Sequence, residues 1–310
     1  MGLYLSELRH PMLDTFLDPK NDVAFKKIFG TEKNKGILIH FLNDMLFFKE
    51  GLPIKEVTFL KTSLDPEIAA QKTSIVDILC EDEKGNSYVV EMQVSKEKGF
   101  EKRAQFYASK VYSSQLLVGS KYHELKEVIF LAIADFIMFP EKKKYKSDHI
   151  LLDRETYEHD LKDFSFTFLE LGKFNKGINE LSTMIEKWSY FFKNAKKTSK
   201  KELEKTFDKD LVLQQAYQEL DRLSWSTEEL RNYEQIEKYR ATYQAALDQK
   251  LDEGIAKGRA EGRAEGRAEG EARKTREMAL NLRKLGVALS AISEASGLSE
   301  DALSSSKCNK

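Results

Sequence analysis

The chain has 310 residues, of which 41% are apolar, 11% aromatic and 33% charged, with 50 Lys and Arg against 51 Asp and Glu for a net charge of −1. That composition supports a core of ordinary size and excludes general disorder. It also excludes a bulk positive field as the means of holding nucleic acid, so any basic surface has to be local, and no run reaches the length of a membrane span.

The two cysteines, Cys80 and Cys308, have no metal-type spacing and suggest no disulfide framework. The histidines at 10, 40, 123, 149 and 159 show no ligand spacing either, so zinc is not expected. The first 19 residues carry Glu7, Asp14 and Asp18 and lack a long apolar stretch, which argues against a signal peptide. A reducing cytoplasm is the expected setting. No G-x-x-x-x-G-K-[ST] string occurs, so no nucleotide cofactor is expected.

In chain order, Asp18-Pro19 reads as a helix start, followed by NDVAFKKIFG with Gly30 as its stop. A second helix fits NKGILIHFLNDMLFF, where Ile37, Leu38, Phe41, Leu42, Met45 and Leu46 recur at three- and four-residue spacing. Strands are expected over 56–64, 74–80, 87–95, 127–136 and 165–171. EDEKGN reads as a hairpin tip, because Gly85-Asn86 suits a tight turn. Between the third and fourth strands, Phe100, Ala104, Tyr107, Val111 and Val118 mark a helix that Gly119 is expected to end. This is the pattern of a mixed α/β layer fold. The expected divisions are 1–175 for the α/β domain, 176–250 for a charged helical region, and 251–310 for a glycine-repeat helix with a short helical hairpin.

The chemistry is concentrated in SIVDILC and YVVEMQV. Strand side chains alternate faces, so Glu91 and Gln93 point the same way. A hairpin centred on Lys84 puts Asp77 opposite Glu91, and a one-residue slip would carry it to the other face. Facing carboxylates repel, at a cost of order 0.2–1 kcal/mol in an exposed sheet and more when buried. A divalent cation offsets that cost, and hard oxygen ligands suit Mg²⁺ or Mn²⁺. The competing reading is a pair of solvated or lysine-paired acids; the apolar residues around both positions weigh against it.

The spacing D-x13-E-x-Q resembles the PD-(D/E)XK nuclease motif. NDVAFKKIFG, SIVDILCEDEKGNSYVVEMQV, KRAQFYASKVYSSQL and LKEVIFLAI together resemble the recombination-promoting nuclease (Rpn) family, also called PD-(D/E)XK nuclease family transposases, over roughly residues 15–175. The resemblance implies a restriction-endonuclease-like mixed sheet flanked by helices, and Mg²⁺-dependent cleavage of double-stranded DNA. By position it makes Asp77 and Glu91 metal ligands and Asp22 a candidate third, directly or through water, against the plainer reading of a first-turn acid favoured by the helix dipole. Gln93 stands where the motif has Lys, and Val76 where it has Pro. Gln orients water and contacts phosphate but adds no charge.

Arg103, Gln105 and Tyr107 match the segment that follows the catalytic strand in that family, with Arg103 as a phosphate contact. From Lys96 to Lys126 seven Lys and Arg stand against three Glu, a net +4 that includes Lys102 and can follow a DNA backbone. Lys26 and Lys27 are candidates for phosphate, against the plainer reading of a solvated helix face.

Toward the C-terminus, glycines recur every fourth residue from Gly254 to Gly270, with alanines in step. Each Gly costs a helix about 1 kcal/mol relative to Ala, and the Arg and Glu rows repel within their own helix. A partner helix would use the Gly/Ala seam for close approach and pair the rows across chains, making a homo-oligomer; the alternative is a flexible linker. The last segment, NLRKLGVALSAISEASGLSEDAL, resembles a helix-turn-helix, but Glu300 and Asp301 stand where DNA contacts belong, which favours a small packing hairpin. Two functions fit the sequence: a Mg²⁺-dependent DNA endonuclease serving recombination, DNA mobility or defence, or a catalytically weak DNA-binding or oligomeric interaction protein on a nuclease-like scaffold.

Overall fold

A computed structural model of the chain describes residues 15–46, 53–64, 74–116 and 119–304. Contacts divide the chain into two units, Met1–Glu237 and Lys238–Lys310. Phe47, Phe48, Val118 and Cys308, which entered the sequence reading, lie outside the described residues. Among the described residues no helix is long and apolar enough to cross a membrane.

The first unit opens with α1 (Asp22–Phe29) and α2 (Lys35–Met45). Then come β1 (Val57–Phe59), β2 (Ser63–Leu64), β3 (Ser74–Ile75), β4 (Ile78–Asp82) and β5 (Ser87–Gln93). Helix α3 (Phe100–Ser114) leads to β6 (Val128–Ala134), β7 (Lys146–Ile150) and β8 (Phe164–Glu170). Helices α4 (Met184–Asn194), α5 (Lys200–Thr206), α6 (Leu211–Leu220) and α7 (Thr227–Lys284) follow. The main sheet runs β1-β4-β5-β6-β8-β7, while β2 and β3 pair separately. β5, β6 and β8 are parallel, and β1, β4 and β7 run antiparallel to their neighbours. This is the expected mixed α/β sheet flanked by helices.

The local reasons are visible in the sequence. β6, VIFLAIA, is buried at every position, as a central parallel strand covered on both faces must be. The parallel β5–β6 step needs a crossover, and α3 supplies it. The β4–β5 hairpin turns at Gly85, whose φ of +86° suits glycine. There the Asp82 carboxylate accepts the amides of Lys84 and Asn86, each at 2.9 Å.

Each face of the sheet has its own core. On one face Tyr88, Val90, Met92, Ile129 and Leu131 meet α1, α2, α4 and α6. Phe29, Phe41, Trp188 and Phe192 form its aromatic centre, with Phe41 and Trp188 ring centres 5.2 Å apart. On the other face Val89, Phe130, Ala132 and Phe168 meet Phe100, Ala104, Ala108 and Val111 of α3.

Several expectations change. The strand expected over 56–64 breaks between β1 and β2, and the one over 74–80 breaks at Val76-Asp77 between β3 and β4. α1 starts at Asp22 with Asn21 as its cap, whose side chain accepts the Val23 amide at 3.0 Å; Asp18 instead receives the Lys20 amide in the preceding turn. α3 ends at Ser114, ahead of Gly119. β7 had not been expected: KSDHI is a charged, half-exposed edge strand with little apolar alternation to announce it. Within residues 176–250, expected as a charged helical region, Trp188, Phe191, Phe192 and Tyr217 join the same core as α1 and α2.

In the second unit the glycine repeat lies wholly within the continuous helix α7. α8 (Leu289–Ser296) and α9 (Glu300–Ser304) bring Ile292 and Leu303 onto Ala279 of α7, with Leu282, Leu289 and Leu298 around them.

Candidate active site

The site forms where β4 begins and β5 ends. The hairpin register pairs Ile78 with Val90, Leu79 with Val89 and Cys80 with Tyr88, which is the pairing centred on Lys84. Asp77 stands one residue outside this ladder, in a bend. Its amide donates to the Glu91 carboxylate at 3.3 Å, and its own carboxylate accepts the Met92 amide at 2.9 Å. The two acids thus complete the backbone bonding where the ladder stops, which is a physical reason for the strand break.

Both acids are largely enclosed; Glu91 is 5% exposed. Burial pushes Asp77 above the usual carboxylate range, with the Asp22 charge adding and the Met92 amide and Lys26 opposing. Burial also raises Glu91, reinforced by the charge of Asp77 and opposed by Arg103. Two acids that burial and a neighbouring carboxylate each push toward the neutral form need a cation to stand ionised together.

α1 closes one side. Ala24, Phe25, Ile28 and Phe29 anchor it in the core, and its other face offers Asp22 and Lys26. The Lys26 ammonium lies 3.0 Å from one Asp22 oxygen and 3.2 Å from the other, and 3.7 Å from Asp77. Burial works against the charge on Lys26, but the hydrogen bond to Asp22 and the charges of Asp22, Asp77 and Glu91 outweigh it and raise its pKa. Lys27 turns elsewhere, to Glu229 at 2.5 Å and over the Trp225 ring.

α3 closes the other side. Arg103 donates to the Gln93 amide oxygen and to the Glu97 carboxylate, each at 2.5 Å. Its guanidinium lies 4.9 Å from the Phe100 ring centre and 5.9 Å from that of Tyr107. The Gln93 amide nitrogen donates to the Ser95 carbonyl at 2.8 Å. Asp77, Glu91, Gln93, Asp22, Lys26 and Arg103 therefore converge. Lys102 and Gln105 do not: both are exposed, and Gln105 bonds back to the Glu101 carbonyl of its own helix at 3.1 Å.

Glu97 and Ser95 were missed in the sequence because they act as holders of Arg103 and Gln93, a role with no spacing signature. Asp135 was missed as well. It follows the apolar β6, its amide bonds the Gln93 carbonyl at 2.9 Å, and its carboxylate lies 3.7 Å from Lys20. An acid closing a wholly apolar strand was the available signal.

Among the described residues no group of three or more His, Cys, Asp or Glu is arranged as a metal cluster. Mg²⁺ does not require one. It takes one or two carboxylates and completes its shell with waters and substrate phosphate oxygens. The donor set of Asp77 and Glu91, with Asp22 within reach of Asp77's carboxylate, fits those needs.

A cavity of about 870 Å³ lies at the opposite end of the hairpin, lined by Asp82, Asn86, Tyr88, Lys146, His149 and Thr167 among others, and includes none of the converging residues. The carboxylates are the better candidate. They lie where β5, one of the parallel strands, reaches its carboxyl end, the place where open α/β sheets bind ligands.

A sequence model described as a PD-(D/E)XK nuclease family transposase matches residues 19–250. No curated protein matches the chain, and no solved structure does.

Proposed function

Because this chain belongs to the PD-(D/E)XK nuclease family transposases, we propose that it is a divalent-metal-dependent DNA endonuclease acting through Asp77, Glu91 and Gln93. The observation that carries the reading is the interlocked pair itself: two enclosed carboxylates, each bonded to the other's strand at the open end of the sheet. Asp77 and Glu91, with Asp22 beside them, would hold Mg²⁺ or Mn²⁺, which when bound acidifies a water and offsets charge on the phosphate.

The reaction is hydrolysis of one phosphodiester. A water oxygen bonds to phosphorus as the bond from phosphorus to one deoxyribose oxygen breaks. The attacking water gives up a proton, and the departing oxygen gains one. Gln93 orients the water or a phosphate oxygen through its amide. Arg103, bonded to Glu97 and lying 4.9 Å from the Phe100 ring centre, carries a fork suited to phosphate. Duplex DNA is the substrate that an open edge with a local excess of Lys and Arg along residues 96–126 best accommodates. Recombination, DNA mobility or defence are the roles that follow.

A second copy of the chain is the partner favoured for the C-terminal arm. Gly254, Gly258, Gly262, Gly266 and Gly270 sit within α7, and a Cβ added to any of them would meet nothing within 4 Å. The helix thus carries the cost of five glycines with no packing in the single chain to offset it.

A specific observation favours the alternative, a catalytically weak DNA-binding protein: Gln93 brings no charge to the position where the motif has lysine. Nicking of supercoiled plasmid in Mg²⁺, in Mn²⁺ and in EDTA separates the two. Metal-dependent nicking that disappears in Asp77→Ala is the expected result; an Asp77→Ala protein that cuts like the parent overturns the site.

A further inference from the structure

The motif lysine is missing at position 93, yet an ammonium is present at the acids. Gln93 does not supply that charge: its amide is neutral, with the oxygen accepting from Arg103 and the nitrogen donating to the Ser95 carbonyl. The cation that does reach the acids comes from a different element. Lys26 projects from α1, one turn beyond Asp22, and its ammonium spans Asp22 at 3.0 Å and Asp77 at 3.7 Å.

We propose that Lys26 is the relocated cation of this site, holding the acids together before metal arrives and moving to the scissile phosphate once it has. The inference rests on the nuclease reading and assigns within it a residue that motif spacing alone leaves as one of two adjacent lysines on a helix surface.

Three features support it. First, an ammonium has three donors and can bridge two carboxylates, which is the placement seen. Second, the neighbouring lysine is excluded: Lys27 is tied to Glu229 and covers Trp225, so it braces the helix. Third, Lys26 can move. Its side chain is 42% exposed, and its partner Asp22 is 41% exposed. A flexible four-carbon stem on that surface can carry the charge from the acids to an arriving phosphate.

The exchange follows from electrostatics. A divalent cation and the Lys26 ammonium seek the same carboxylate oxygens and repel one another, so the lysine gives way as metal binds. Displaced toward the open edge, it adds positive charge to a non-bridging phosphate oxygen, where negative charge grows during attack. It transfers no proton; the proton balance of the hydrolysis stays with the two oxygens that exchange at phosphorus.

Two readouts on the full-length chain test this. Calorimetry with MnCl₂ alone, without DNA, is expected to show Lys26→Met binding about tenfold more tightly than the parent, because the competing charge is gone. Plasmid nicking in Mg²⁺ is expected to fall about 100-fold in the same variant, with Lys26→Arg intermediate and melting temperatures confirming that both variants fold. Lys26→Met that nicks at the parent rate, or that binds Mn²⁺ no more tightly, overturns the role of Lys26 while leaving an active nuclease. A parent chain that neither binds Mn²⁺ nor nicks DNA overturns the nuclease reading, and this role falls with it.

Discussion

Asp77 and Glu91 are joined through backbone as well as through charge: the Glu91 carboxylate accepts the Asp77 amide at 3.3 Å, while the Asp77 carboxylate accepts the amide of Met92, Glu91's neighbour, at 2.9 Å. Each acid therefore has a structural duty beside any catalytic one, and substitutions have to be chosen to separate the two.

Asp77→Asn and Asp77→Ala do so. Asparagine keeps an oxygen for the Met92 amide but loses the charge, whereas alanine also leaves that amide without its acceptor. Both variants are expected to lose at least about 100-fold in metal-dependent nicking. Only alanine is expected to lose roughly 1–3 kcal/mol in urea unfolding as well, the cost of a buried donor left unmade. Equal stability of the two would show that the Met92 bond contributes nothing.

The pH dependence has a definite sign. Burial raises both acids above their ordinary range, with the charge of Asp22 adding at Asp77 and the charge of Asp77 adding at Glu91. A carboxyl raised on folding contributes stability that is complete below its unfolded pKa of about 4 and is lost as pH rises through the folded value. In EDTA the melting temperature should therefore fall as pH is raised from about 5 to about 8, and Mg²⁺ should restore more of it at the upper end, where the acids ionise most readily. Glu186 and Glu229, held low by Lys176 and Lys27, act in the opposite sense at lower pH. Comparison with the Asp77→Asn/Glu91→Gln double variant isolates the pair. An unchanged pH slope in that variant would refute the assignment.

Arg103→Lys keeps the charge but loses the planar fork that spans Glu97 and Gln93. Nicking is expected to drop about tenfold or more while Mn²⁺ affinity stays within about twofold, since Arg103 bonds neither Asp77 nor Asp22. A large change in metal affinity with unchanged nicking would reverse the division of labour between α3 and the acids.

Gly262→Ala meets no atom within 4 Å. If the arm stands alone, alanine should stabilise the helix by about 1 kcal/mol. If two arms meet along the glycine row, the methyl should instead weaken association. Sedimentation of the parent, of Gly262→Ala and of a chain lacking residues 254–270 distinguishes these outcomes; a mass unchanged by the deletion would remove the arm as an assembly element.

Much of this was legible in the sequence because local chemistry and global fold agree there. The turn at Gly85 fixed the hairpin centre, and that centre sets Ile78 against Val90 and Leu79 against Val89. What was illegible lay where alternation carries no signal. Residues 74–80 read as one apolar strand although the chain bends at Asp77, since the bond that accompanies the bend is a long-range one to Glu91. β7 is an edge strand with one face against solvent, so it reads as a loop. α4 hides its aromatic face within a lysine-rich stretch, and composition averaged over that stretch conceals Trp188 and Phe192. The convergence of Lys26 on Asp77 depends on how α1 docks, which no spacing within α1 encodes.

The seat of α1 sets how far the protein can be trimmed. Its cap residue Asn21 donates to the Glu237 carboxylate at 2.9 Å and to the Tyr233 carbonyl at 3.3 Å, Asp18 binds the Tyr233 hydroxyl, and Lys27 reaches Glu229. A shortened protein stopping after α6 would retain every strand and every acid yet lose all four of these moorings. A fragment that keeps α1 moored beside the acids therefore has to run to Glu237, well past the last strand.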